Sequence, residues 1–216
     1  VYPTPVIGMV GLAASLEHVT RSSFTVDGDA IVLLGEPTAE LGGSEYLARV
    51  HGVVAGAPPA CDLGRERALI DALLEAIAAG VVRSAHDCSD GGLAVALAEC
   101  AVGDAEHPLG AEVDLAAWSA LPLRALLFGE AQGRVIVSGA QPDRVLAIAA
   151  AHGVAARRIG TVRATSGTLE IRVGSWTFAA PLARLASAYH DAIPNIMSSA
   201  PGEAAVLEQH PQPSAS

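Results

Sequence analysis

Ser84-Ala85-His86-Asp87-Cys88-Ser89-Asp90-Gly91-Gly92-Leu93 gathers two carboxylates, an imidazole, a hydroxyl and two glycines in one short stretch. Val81-Val82 before it reads as the start of a strand, and Leu93 to Cys100 after it reads as a helix with Leu93 and Leu97 one turn apart. Where a strand hands over to a helix, the first-turn N–H groups have no internal partners. The helix dipole adds roughly half a positive charge there, so an anion is favoured. Gly91 and Gly92 let the backbone approach a ligand and take up positive φ. Asp87 and Asp90 suit a divalent cation that bridges to phosphate oxygens. The same residues admit a second reading, in which Ser89 or Asp90 simply caps the following helix. Neither His86 as a general base nor Cys88 as a nucleophile is the expected role.

Two further stretches carry polar groups beside glycines. Glu130 and Gln132 lie in a glycine-bounded bend just before the strand-like Val135-Ile136-Val137. That bend is either a solvent-facing turn or the edge of a site. Glu40-Leu41-Gly42-Gly43-Ser44-Glu45-Tyr46 reads as a loop and helix start, with an anion cradle at Gly42, Gly43 and Ser44 as the alternative.

These groups need a scaffold, and the composition provides one. Of 216 residues, 51% are hydrophobic and 17% charged, which describes a globular chain with an ample core. The length allows one domain and part of another. Thirteen basic against 23 acidic residues give a formal net charge of −10, which argues against a nucleic-acid partner. Three cysteines without C-x-x-C spacing imply neither a zinc site nor a disulfide framework, and fit a reducing cytosol. No apolar run reaches the roughly 18 residues of a membrane helix. No Lys or Arg precedes Arg21, as a secretory signal would require, and the start at Val1 without an initiator Met suggests a fragment.

Along the chain, Val6 to Leu12 reads as a buried strand, and Ala30 to Gly35 as a strand covered on both faces. Ala55-Gly56-Ala57-Pro58-Pro59 reads as a linker and domain boundary. Asp62 caps a helix running to Ala79 and stopped by Gly80. Alternation at Ala111, Val113 and Leu115 predicts a half-exposed strand. Pro142 to Ala151 predicts a helix, and Ile159 to Val162 a strand. Leu169, Ile171 and Val173 alternate up to a Gly174-Ser175 hairpin turn into Trp176. A last helix from Pro181 carries Leu182, Leu185, Tyr189 and Ile193 on one face and ends at Pro194. Beyond Met197 no periodicity remains, which predicts a disordered, dispensable tail.

Four motifs occur in one order. They are Pro3-Thr4-Pro5-Val6-Ile7-Gly8-Met9-Val10-Gly11, Leu41-Gly42-Gly43-Ser44-Glu45-Tyr46, the Ser84–Asp87 and Ser89–Leu93 pair, and Leu127-Phe128-Gly129-Glu130 with Gln132-Gly133-Arg134. Together they closely resemble the carboxy-terminal part of phosphoribosylformylglycinamidine synthase, in its small, multi-subunit synthetase form. The resemblance covers about residues 1–197, and Ala192-Ile193-Pro194-Asn195-Ile196-Met197 resembles that family's usual carboxy terminus.

The resemblance implies an α/β (α+β) fold of the aminoimidazole ribonucleotide synthetase superfamily. Residues 1–56 would end a second amino-terminal-type domain, 57–61 would link, 62–197 would form the carboxy-terminal α/β domain, and 198–216 the tail. It implies ATP and magnesium as cofactors. The reaction that the resemblance implies is conversion of formylglycinamide ribonucleotide to the amidine with ammonia from a glutaminase, by phosphorylating the carbonyl oxygen and displacing phosphate. Implied partners are the remainder of the synthetase chain, a glutaminase subunit and a small accessory subunit, in the cytoplasm, with neither nucleic acid nor membrane. Asp87 becomes the magnesium candidate. Ser89, Asp90, Gly91, Gly92, Gly42, Gly43, Ser44, Glu130 and Gln132 become nucleotide or phosphate candidates, and no residue is assigned to catalysis. Pseudo-symmetry in the family assigns this aspartate motif to an auxiliary nucleotide site. Cys88 replaces a commoner aliphatic residue, and Ala131 a serine. The family's Gly-Asn-Val-Ser segment and its catalytic histidine are absent, so this chain alone is expected to be inactive. The alternative is a non-catalytic module that binds a nucleotide or a partner subunit. A selenophosphate synthetase or hydrogenase-maturation relative is weaker, for want of a reactive cysteine near a glycine-rich amino terminus.

Overall fold

A computed structural model describes residues 7–13 and 15–198. Its strands are β1 (Ala30–Leu34), β2 (Ser84–Asp87), β3 (Gly110–Asp114), β4 (Val135–Gly139), β5 (Ala156–Arg163), β6 (Thr168–Val173) and β7 (Trp176–Pro181). They form one seven-stranded sheet in the order β2-β4-β1-β5-β3-β6-β7. Only β3 and β6 run parallel; every other neighbouring pair is antiparallel.

The helices are α1 (Glu45–His51), α2 (Leu63–Ala78), α3 (Gly92–Val102), α4 (Leu123–Phe128), α5 (Pro142–Ala151), α6 (Leu182–His190) and α7 (Ala192–Ser198). Strand periodicity sorts the apolar side chains to the two faces. Ile31, Leu33, Val113, Ile136 and Ile171 pack with Leu93 and Leu97 of α3, Leu126 of α4 and Leu182 of α6. Val32, Leu34, Val135 and Val137 pack on the other face with Leu69 of α2 and Val145 of α5. Leu93 and Leu97 are wholly buried, each contributing about 1.5–3 kcal/mol. They fasten α3, and with it the Asp87–Gly92 turn, to the sheet.

All five residues of β1 are buried, as a strand covered on both faces requires. Its position overturns the boundary read at 57–61. β1 pairs with β4 on one side and β5 on the other, so it is a central strand of the same sheet as everything beyond residue 62. A Pro/Gly-rich stretch can be a loop inside a domain as readily as a linker between two.

Several elements match their sequence reading closely. Asp62 caps α2 by accepting the N–H groups of Gly64 and Arg65 at 2.9 and 3.2 Å. α5 runs from Pro142 to Ala151, and Val173 faces Trp176 across the Gly174-Ser175 hairpin. Val81 differs: its N–H donates to Ala76 while Gly80, at φ 67°, donates to Ile77. This Schellman closure of α2 delays the strand to Ser84. Ile7 to Val10 is not a strand but exposed chain without regular structure; Val6 lies outside the described residues. Pro194 does not stop a helix either. α6 ends at His190, and Pro194 sits in the first turn of α7, where its missing N–H is no loss. Residues 199–216, hence nearly all of the expected tail, lie outside the described residues.

Candidate functional site

β2 delivers Asp87 to its carboxyl end, and the chain turns through Cys88, Ser89 and Asp90 into α3. The turn lines a cavity of about 450 Å³ together with Glu66 of α2 and Glu130, Gln132 and Arg134 from the α4–β4 connection. The structure thus brings Asp87, Ser89, Asp90, Glu130 and Gln132 to one place. Gly42, Gly43 and Ser44 do not line it. They precede α1, where the Ser44 hydroxyl accepts the Leu47 N–H and donates to Leu41. Ser44 is therefore a buried helix cap, as its loop-and-helix-start reading requires.

Glu130 joins the two groups. Its Oε1 accepts the N–H of Gly91, the residue capping α3, and the N–H of Glu45, the first residue of α1, both at 2.8 Å. This changes the reading of the glycine turn. Gly91 and Gly92 do take positive φ, at 79° and 70°. However, the anion at the start of α3 is the protein's own carboxylate. The cap is Gly91, with no side-chain hydrogen bond from Ser89 or Asp90. The Ser89 hydroxyl donates to Asp87 instead.

Asp87 is largely exposed, at 71% of its side-chain surface, and its nearest basic atom is His86 Nδ1 at 3.8 Å. His86 is occupied on both nitrogens: Nδ1 donates to the Asp87 carbonyl at 2.7 Å, and Nε2 lies 3.2 Å from Glu99. A ring so engaged is a structural bridge between β2 and α3. Cys88 is buried, and burial pushes its thiol up to about 11; burial likewise raises Cys100, whereas Cys61 is exposed. A thiol kept protonated is no nucleophile. The guanidinium of Arg134 is turned to the carbonyls of Gly129 and Ala131, at 2.6 and 3.1 Å.

The donor set can be tested against magnesium and nucleotide. Among the described residues no group of three or more His, Cys, Asp or Glu could hold a metal ion. Magnesium commonly uses one or two carboxylates, with phosphate and water completing its shell, and the exposed carboxylate of Asp87 fits that mode. The Gly91-Gly92 turn does not fit as a phosphate cradle, because Glu130 already takes the Gly91 N–H. Glu66, Asp87, Asp90 and Glu130 make the cavity wall acidic, and its Arg134 is committed to the backbone.

A second concavity escaped the sequence reading. An apolar groove of about 520 Å³ runs along α3, α4 and α6, walled by Tyr46, Phe128, Trp176, Phe178 and Tyr189. The chain has only two Trp, three Tyr and three Phe, so the groove collects most of its aromatic rings. Six elements contribute, which no local motif reveals; the scarcity of aromatics was the one available signal.

Comparison with known proteins agrees with this architecture. The chain is 46% identical to the phosphoribosylformylglycinamidine synthase subunit PurL of Moorella thermoacetica, over 92% of this chain and 26% of that protein. It is 40% identical to the subunit of the same name from an Anaeromyxobacter species, over 98% of this chain and 28% of that protein. The chain thus spans about a quarter of the length of these relatives. Among solved structures, Thermotoga maritima PurL complexed with FGAR superposes with a TM-score of 0.64 at 24% identity, covering 79% of this chain and 30% of that one. The Escherichia coli hydrogenase maturation protein HypE gives 0.51 at 21% identity, over 76% of this chain and 52% of that one. These likenesses speak to the fold. The family model for the AIR synthase related protein, C-terminal domain, matches residues 26–172, beginning before β1 and so on the same side of that strand as the sheet's own boundary. The chain therefore belongs to the AIR synthase related family and carries its C-terminal domain.

Proposed function

We propose that this chain is part of the synthetase subunit of phosphoribosylformylglycinamidine synthase, an ATP-dependent C–N ligase of purine biosynthesis. The observation that carries the reading is the 46% identity running across 92% of the chain to a relative of that name. ATP would supply the phosphoryl group that activates the formylglycinamide carbonyl oxygen for displacement by ammonia. Within that reaction the chain's own contribution is limited. Asp87 offers one carboxylate to magnesium, Ser89 orients it, and Gln132 borders the same cavity. Glu130 holds helices rather than phosphate. The cations that a triphosphate needs come from the part of the protein this chain does not span. Thermotoga maritima PurL has been solved with ATP, and a PurLQS assembly from that organism is also known. By analogy the partners are the rest of the synthetase chain, a glutaminase subunit and a small accessory subunit, in the cytoplasm.

The test is Asp87→Asn in the full-length synthetase. The variant is expected to melt within about a degree of wild type, since an exposed carboxylate contributes little to stability. Calorimetric affinity for nucleotide should fall about ten-fold with magnesium present and change little without it. Equal magnesium dependence in both proteins would remove Asp87 from the site and leave family membership untouched.

A further inference from the structure

A seven-residue helix does not sustain itself in water, so α1 is held from outside. It buries none of its residues, and no other helix or strand packs extensively against it. Its base is closed instead. Gly43 donates its N–H to the Ala55 carbonyl at 2.9 Å. Gly42 packs so tightly on the backbone of Gly56 and Ala57 that a Cβ there would collide with the Ala57 carbonyl. Below, Glu40 accepts the Ala60 N–H at 3.0 Å. Residues 43–55 are thus a compact loop whose ends touch, the Ω-loop arrangement. Gly43 and Gly52 supply left-handed backbone within it, and Gly56 just beyond its end, at φ 69°, 64° and 91°.

Away from that base one turn meets the loop with both a hydrogen bond and a ring stack. Glu130 accepts the Glu45 N–H at 2.8 Å. Phe128 stacks on Tyr46 with centroids 5.1 Å apart and planes 12° from parallel. The same Glu130 oxygen accepts from Gly91, so the latch is anchored on the start of α3.

We propose that residues 43–55 form a strap that swings on its glycine base, and that Glu130 is the positioning residue that latches it shut. Tyr46 travels with the strap. Because Tyr46 walls one end of the aromatic groove, opening the strap widens the groove and bares Phe128. This inference stands apart from the nucleotide reading, since it involves neither Asp87 nor magnesium.

Limited trypsin digestion of the 216-residue chain tests it. Arg49, in α1, is the one Lys or Arg between Arg21 and Arg65, and cleavage there tracks the open population of the strap. Glu130→Ala is expected to speed cleavage after Arg49 about ten-fold, the effect of losing a charge-assisted hydrogen bond. Cleavage after Arg83 should stay within about two-fold. Glu130→Gln keeps an acceptor oxygen in place and should remain near the wild-type rate. Unchanged cleavage at Arg49 in the Ala variant, or equal acceleration at Arg49 and Arg83, would overturn the latch. If Glu130→Ala does not fold, Tyr46→Ala removes the other contact. Selective acceleration at Arg49 then supports the strap, and its absence overturns it.

Discussion

Asp29 and Glu130 are both carboxylates drawn inward, and their surroundings treat them differently. Glu130 meets two backbone N–H groups. Asp29, almost fully buried at the start of β1, accepts one short hydrogen bond from Arg83 at 2.6 Å and leaves Oδ2 without a partner among the described residues. Burial raises its pKa above the ordinary Asp value, and Arg83 offsets this only in part. The folded state therefore holds this proton more tightly than the unfolded state, and stability falls as pH rises from the ordinary Asp range through the raised value. Urea midpoints of wild type and Asp29→Asn between pH 4 and 7 should show it. Wild type is expected to lose ground to the variant as pH rises, then run parallel to it, with Asn never worse by more than about 2 kcal/mol. A difference that moves the other way would mean that Arg83 outweighs burial. Neither carboxylate's role was legible in the sequence. Glu130 was readable as a polar residue in a bend, but its partners lie 85 and 39 positions away.

At the scale of elements, what the sequence showed depended on how local the cause was. Asp62 sits directly before the stripe it caps, and it was read correctly. Ser89 and Asp90 sit before α3 in the same way, yet α3 is capped by Gly91 with Glu130 beneath it. The two cases give opposite expectations by denaturant unfolding. Asp62→Ala should cost about 1 kcal/mol, whereas Asp90→Ala should stay within about 0.5 kcal/mol. A full cap-sized loss at Asp90 would contradict the observed geometry. The strand character of Ala30 to Leu34 was equally legible, because five consecutive apolar residues need cover on both faces. Its neighbours were not, since pairing of β1 with β4 and β5 spans more than a hundred residues. For that reason a correct strand was placed in the wrong domain.

The whole molecule pairs a well-filled double core with surfaces that have no cover. Ile7, Met9, Val10 and Leu12 at one end and Ile193, Ile196 and Met197 at the other are exposed. The aromatic groove lies open between α4 and α6. For a chain spanning about a quarter of its relatives' length, the active centre is proposed to need groups from elsewhere. Purified chain supplied with ATP, magnesium, ammonium and formylglycinamide ribonucleotide should release phosphate no faster than a blank. It should also run larger than a monomer in gel filtration, because apolar surface of this extent favours association. Robust turnover by a monomeric preparation would contradict the proposed dependence on missing domains.

The three cysteines give the chain a built-in gauge of its own integrity. Cys61 lies on the surface close to the base of the strap, while Cys88 and Cys100 are sealed in the core and held as thiols. A disulfide reagent at neutral pH therefore counts one group in the native chain and all three once the core opens. The interval between those two stoichiometries times the opening of the α3 face with no label built into the protein. A dye placed on Cys61 would watch the neighbouring loop from a position that leaves the core untouched.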